Sequence, residues 1–92
     1  MKDYAKEQIL EFYGEEKLQQ IEKYVVNNDS KANMILAYSE GDTFEILGGI
    51  MTNHSINVDY AMDLLDVNMD NFADEQGWES WNYEALCLIQ IG

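Results

Sequence analysis

Arginine and proline are both absent from this sequence of 92 residues, and cysteine and histidine occur once each, as Cys87 and His54. Without proline there is no cis-prolyl turn. A single thiol excludes an internal disulfide framework and suits a reducing compartment. No apolar run reaches the ~18–20 residues that cross a bilayer, and the first residues are charged where a signal peptide is apolar. Together these absences predict a cytoplasmic protein. Positive charge is the scarcest commodity. The five lysines are Lys2, Lys6, Lys17, Lys23 and Lys31, and from Ala32 to Gly92 there is no basic residue except His54.

Against them stand eighteen acids, for a formal net charge of −13. Solubility asks for a magnitude of only ~2–8 on a small domain. The excess repels itself and opposes the compact state, which calls for an offsetting benefit. With no arginine and a field of this sign, the phosphate backbone is repelled, so direct nucleic-acid binding is disfavoured. High net charge does not imply disorder here, because 47% of the residues are hydrophobic and 12% aromatic. A chain of this length buries ~60–70% of its unfolded surface, enough for one modest core. Residues 1–92 are therefore read as a single acidic domain.

Hydrophobic spacing sets the element order. Ala5, Ile9, Phe12 and Tyr13 recur at helical intervals within Lys2 to Tyr13, and Gly14 is a stop. Leu18, Ile21 and Val25 line a second helix from Glu15 to about Asn27, with Glu15 and Glu16 at its positive end. Met34–Tyr38 and Thr43–Leu47 read as hairpin strands around Ser39-Glu40-Gly41-Asp42, and Gly48-Gly49 either ends the second or bends it on into Ile50 and Met51. Helical spacing returns at Val58, Ala61, Met62 and Leu65 behind an Asn57 N-cap. It continues through Met69, Phe72 and Ala73 to Gly77, as one bent helix or as two with Asn68 capping the second. The apolar run from Tyr83 to Ile91 is predicted to be a strand buried on both faces. The expected fold class is α+β, in the order α-α-β-β-α-α-β, with a three-stranded antiparallel or mixed sheet packed by helices.

Most chemistry is poorly served. Cys87 lies in the most apolar stretch, where a thiol is a small inert hydrophobe, and His54 lies in a polar loop. No carboxylate pair stands out as acid and base, and Gly48-Gly49 lacks the pattern of a phosphate loop. Asp66-Val67-Asn68-Met69-Asp70 fits the opening of a calcium-binding EF-hand loop, with Asp74 at the ninth position. Asn71 and Gly77 then replace the glycine and the closing bidentate glutamate. The chain is expected to be no enzyme and to take no cofactor or metal.

The strongest pattern is Asp59, Asp63, Asp66, Asp70 and Asp74. On a continuous helix these fall within an arc of about 80°, spaced by ~4.5–6 Å along the axis. Like charges one turn apart cost a few tenths of a kcal/mol each, so the series marks a functional face as much as a solvated one. Behind it, Gly77-Trp78-Glu79-Ser80-Trp81-Asn82-Tyr83-Glu84 interleaves aromatics with acids, and large aromatics serve both core edges and binding hot spots. The expected partner-binding residues are Asp59, Asp63, Asp66, Asp70, Asp74, Glu75, Trp78, Glu79 and Trp81.

Small size, acidity, the aspartate run and the segment from Trp78 to Glu84 resemble, in kind, the small acidic phage proteins that inhibit bacterial defence. These are the anti-CRISPR proteins and the anti-restriction DNA mimics. No shared motif underlies the resemblance, so it carries over no residue roles. It implies a non-enzymatic inhibitor that works in the cytoplasm of a bacterial host cell. The partner would be a basic, nucleic-acid-binding enzyme such as a CRISPR effector nuclease or a restriction enzyme. The alternative is an immunity- or adaptor-type module that binds through an aromatic patch around Trp78, Trp81 and Tyr83, with acidity secondary.

Overall fold

A strand whose consecutive side chains are all apolar must be covered on both faces, because neighbours along a strand point in opposite directions. Ile35, Leu36, Ala37 and Tyr38 form such a run, and all four are buried in the computed structural model, which describes residues 1–28, 31–78 and 83–92. They belong to β1 (Met34–Glu40), the middle strand of an antiparallel sheet with β2 (Thr43–Ile50) on one side and β3 (Leu86–Gln90) on the other. Helices α1 (Asp3–Tyr13) and α2 (Glu15–Asn28) precede the sheet. Helices α3 (Val58–Leu64) and α4 (Met69–Gln76) join β2 to a short 3-10 turn, Tyr83–Ala85, that leads into β3. The protein is thus a small α+β domain in the order α-α-β-β-α-α-β.

The two faces of β1 found two separate cores. Ile35 and Ala37 pack with Ile89 and Ile91 against Ile9 of α1 and Leu18, Ile21 and Val25 of α2. Leu36 and Tyr38 pack with Ile50 and Leu86 against Ala61 and Met62 of α3 and Phe72 of α4. One helix pair therefore lies on each side of the sheet. Full burial of an aliphatic side chain is worth ~1.5–3 kcal/mol, and Ile9, Ile21, Ile35, Leu36, Met62 and Ile91 are each almost completely enclosed.

The hairpin closes through two residues, Gly41 and Asp42, between the paired Glu40 and Thr43. Gly41 has φ 59°, the left-handed value that a two-residue hairpin asks of its first central residue. Farther along, the register slips: Leu36 faces Gly48 while Ala37 faces Ile46, so Leu47 is an extra, bulged residue. The slip turns Leu47 toward the α3–α4 core while Phe44 and Ile46 serve the other core. Gly48-Gly49 does not end the strand, which runs on to Ile50. A side chain at Gly48 would press on Leu65, whose methyl carbons lie 2.8 Å from where its Cβ would be. Past Ile50 the Asn33 side chain extends the ladder, donating to the Thr52 carbonyl at 2.5 Å and accepting from the Thr52 N–H at 3.1 Å.

The last strand departs from expectation. Its regular part begins at Leu86, after the 3-10 turn, and Cys87 and Leu88 are only half-buried because β3 is a sheet edge. The strand enclosed on both faces is β1. Truncation should reveal that difference. Leu36→Ala is expected to lower unfolding stability by about 2–5 kcal/mol, and Leu88→Ala by clearly less. Urea denaturation with an unchanged m-value would check both.

Candidate functional site

The acidic segment starts at a cap. Asn57 is extended and its side-chain oxygen accepts from the Tyr60 N–H at 2.8 Å, which starts α3. Each residue turns the helix by ~100°, so the residues of α3 fall into three rows. Ala61 and Met62 are buried against the sheet, with Val58 half-buried beside them. Asp59 and Asp63 form a second row, one turn apart and both exposed. Tyr60 and Leu64 form a third, exposed by 48% and 51%.

The helix does not continue. Leu65 ends it, Asp66 takes a left-handed φ of 56°, and Asn68 caps α4 by accepting from the Asn71 N–H at 2.9 Å. Aspartate tolerates the left-handed region better than most residues. Gly77, at φ 74°, closes α4 in the left-handed conformation common after helices. The aspartates therefore do not share one arc on one axis. Asp59 and Asp63 lie a turn apart on α3, Asp66 in the connection, and Asp70 and Asp74 a turn apart on α4 beside Glu75. All six carboxylates are exposed. The segment with an EF-hand-like opening is mostly this capped helix rather than a ligand loop. Among the described residues no group of three or more His, Cys, Asp or Glu side chains converges as a metal site.

The sheet sorts the lysines rather than the acids: α1 and α2 also carry Asp3, Glu7, Glu11, Glu15, Glu16 and Glu22, so that layer is close to balanced. Lys6, Lys17 and Lys23 lie on α1 and α2, Lys2 just before them and Lys31 just after. Among the described residues one ion pair forms, between Lys6 Nζ and Glu22 Oε2 at 3.7 Å, and it stays within this layer. Lys17 lies 5.4 Å above the Phe44 ring and 3.5 Å from Ser39 Oγ. On the other side of the sheet, α3, α4 and their connection carry Asp59, Asp63, Asp66, Asp70, Asp74 and Glu75 with no lysine. A sheet with both its cores separates the layers by more than the ~8 Å over which physiological salt screens charge.

Trp78 is half-buried. Its ring meets Tyr38 and Phe72, each at 5.6 Å between centroids, and those two rings lie 5.7 Å apart edge-to-face. This aromatic cluster closes the α4 end of the second core, so Trp78 acts first as a packing residue. Glu79 and Trp81 lie outside the described residues. On α3 the exposed apolar residues not anticipated from the sequence are Tyr60 and Leu64; elsewhere Tyr4, Val26, Met51 and Phe12 are more exposed, and Phe12 thereby departs from the apolar row expected for α1. The signal for Tyr60 and Leu64 is the helical wheel itself, which leaves both outside the inward arc.

Cys87 pairs in register with Ala37, donates to the Ala37 carbonyl at 3.6 Å and adjoins Tyr13, while His54 lies in the loop beyond β2. The two are not partners. Burial pushes the thiol pKa up, with smaller opposing effects from Tyr13 and Lys17. Tyr13 is raised to about 12, first by burial and then by the adjacent thiol. No helix among the described residues is long and apolar enough to cross a membrane. No protein family, curated protein or solved structure matches the chain.

Both raised values favour the neutral form in the folded protein, so they leave stability intact below the unfolded pKa values and withdraw it as pH rises. Between pH 10 and about 12 the unfolded state releases the Tyr13 proton first. Thermal stability should therefore fall across that window, and Tyr13→Phe should reduce the fall. At pH near 8, native Cys87 should react with an aromatic disulfide reagent at least about tenfold more slowly than in denaturant.

Proposed function

We propose that this protein is a non-enzymatic binding protein whose α3–α4 layer presents carboxylates to a basic partner, occupying a surface built for nucleic acid. The observation that carries the reading is the sorting of lysines by the sheet. Six exposed acids occupy the layer that has no lysine, whereas the six acids on the opposite helices are offset by the lysines on and beside them. A field of one sign over one face steers a partner of opposite sign and raises the rate of encounter. The commonest extended basic surfaces are those that hold phosphates. The resemblance in kind to anti-defence proteins favours a bacterial CRISPR effector nuclease or a restriction enzyme as the partner.

The division of the acids between two helices suits this role. Two carboxylates on α3 and three on α4, joined by a connection through the left-handed Asp66, place charge in steps along a bent path instead of a straight rod. Trp78 is engaged in its aromatic cluster, which lends less weight to an interface centred on that ring.

A pull-down from bacterial lysate at low salt, repeated at high salt, is the direct test. A nucleic-acid-binding enzyme should be retained only at low salt and displaced by added DNA or RNA. Replacing Asp63, Asp66 and Asp70 together with asparagine should slow association with it about three- to tenfold at low salt. The same substitution should leave the melting temperature unchanged or slightly higher, because it removes mutual repulsion. Retention that ignores salt, nucleic acid and these substitutions would overturn the reading.

A further inference from the structure

An exposed helix needs only its inward row to be apolar. On α3 the inward row is supplied by Ala61 and Met62, yet Tyr60 and Leu64 form a second apolar row, about half exposed at 48% and 51%. Neither belongs to a core cluster of the described residues. Asp63 stands one turn from Tyr60 and next to Leu64, so an aromatic face, a carboxylate and an aliphatic side chain adjoin on two turns of helix. At the Tyr60 end the row opens on a groove of about 300 Å³ bounded by His54, Ile56 and Asn57.

We propose that Tyr60, Asp63 and Leu64 form an arginine-reading face, which takes a helical protein segment carrying an arginine and, one turn away, an aliphatic residue. This rests on the acidic-surface reading and adds the chemistry of the contact. Charge complementarity selects a cation. The neighbouring ring selects arginine over lysine, because a planar guanidinium stacks on tyrosine while donating two parallel hydrogen bonds to a carboxylate. Leu64 accepts the aliphatic side chain, which supplies contact area that salt does not screen.

The test uses the full chain and short helical peptides in two versions, one with arginine and leucine one turn apart and one with lysine in place of arginine. By calorimetric titration at low salt, the arginine peptide should bind about three- to fivefold more tightly than the lysine peptide. Tyr60→Leu should abolish that preference, and Tyr60→Phe should keep it, with circular dichroism confirming that both variants are folded. Equal affinity for the two peptides, or a preference that survives Tyr60→Leu, overturns the arginine-reading face and leaves the acidic-surface reading standing. Failure of both peptides to bind at low salt also overturns the arginine-reading face, whereas the acidic-surface reading falls only if retention from lysate ignores salt and nucleic acid.

Discussion

Everything in this molecule follows from the enclosure of β1. Four consecutive apolar residues, Ile35 to Tyr38, have side chains on alternate sides of the sheet and are all buried. That is stable only if each face of the sheet is roofed. The first two helices roof one face and the second two roof the other, and neither pair replaces its counterpart. The bulge at Leu47 has the same origin. It shifts the phase of β2 so that Phe44 and Ile46 serve one core while Leu47 and Ile50 serve the other. Once the sheet has two roofs, whatever is written on the outer surface of one is held away from the other.

Charge is what is written there. Carboxylates stand on both roofs but lysines offset them only on the first, so a sequence in which basic residues stop at Lys31 becomes a molecule with one nearly balanced side and one uncompensated anionic side. Repulsion along α3 and α4 is limited by the way the helices are cut. Within each helix only one pair of aspartates lies a turn apart, and the Asn57 and Asn68 caps offset part of the cost, a good N-cap being worth about 1 kcal/mol. A single uncut helix would align all five aspartates and add further like-charge neighbours one turn apart. The break at Asp66 spreads the charge without diluting it.

Much of this was legible in the sequence because local signals and tertiary demands agree. Gly14, Asn57, Asn68 and Gly77 are helix stops and caps by chemistry, and they act as such. The hairpin was readable from Ser39-Glu40-Gly41-Asp42 for the same reason, although Ser39 and Glu40 belong to β1 and only Gly41-Asp42 turn. Where longer-range geometry decides, the pattern was ambiguous. The apolar run from Tyr83 to Ile91 is longer than that of β1, yet it forms an edge strand preceded by a 3-10 turn, since run length does not report strand order. The aspartate series looked like one stripe because a wheel drawn on a continuous axis cannot register a left-handed residue at Asp66. Trp78 could serve a core or an interface, and only its contacts with Tyr38 and Phe72 reveal the packing role.

The row of Tyr60 and Leu64 bears on how an acidic surface achieves more than attraction. Carboxylates on exposed side chains act over a Debye length, so they speed encounter with any cationic surface but discriminate weakly and lose force in salt. Aromatic and aliphatic contacts act only on touching, demand a fitting shape, and mainly slow departure. On α3 the two kinds of row run side by side on the same two turns, fixed relative to each other by the helix and to the sheet by Ala61 and Met62. A partner drawn in by charge is therefore presented at once with the surface that tests its shape. Specificity can then reside in one short, rigid helix, while the wider acidic layer needs only the correct sign.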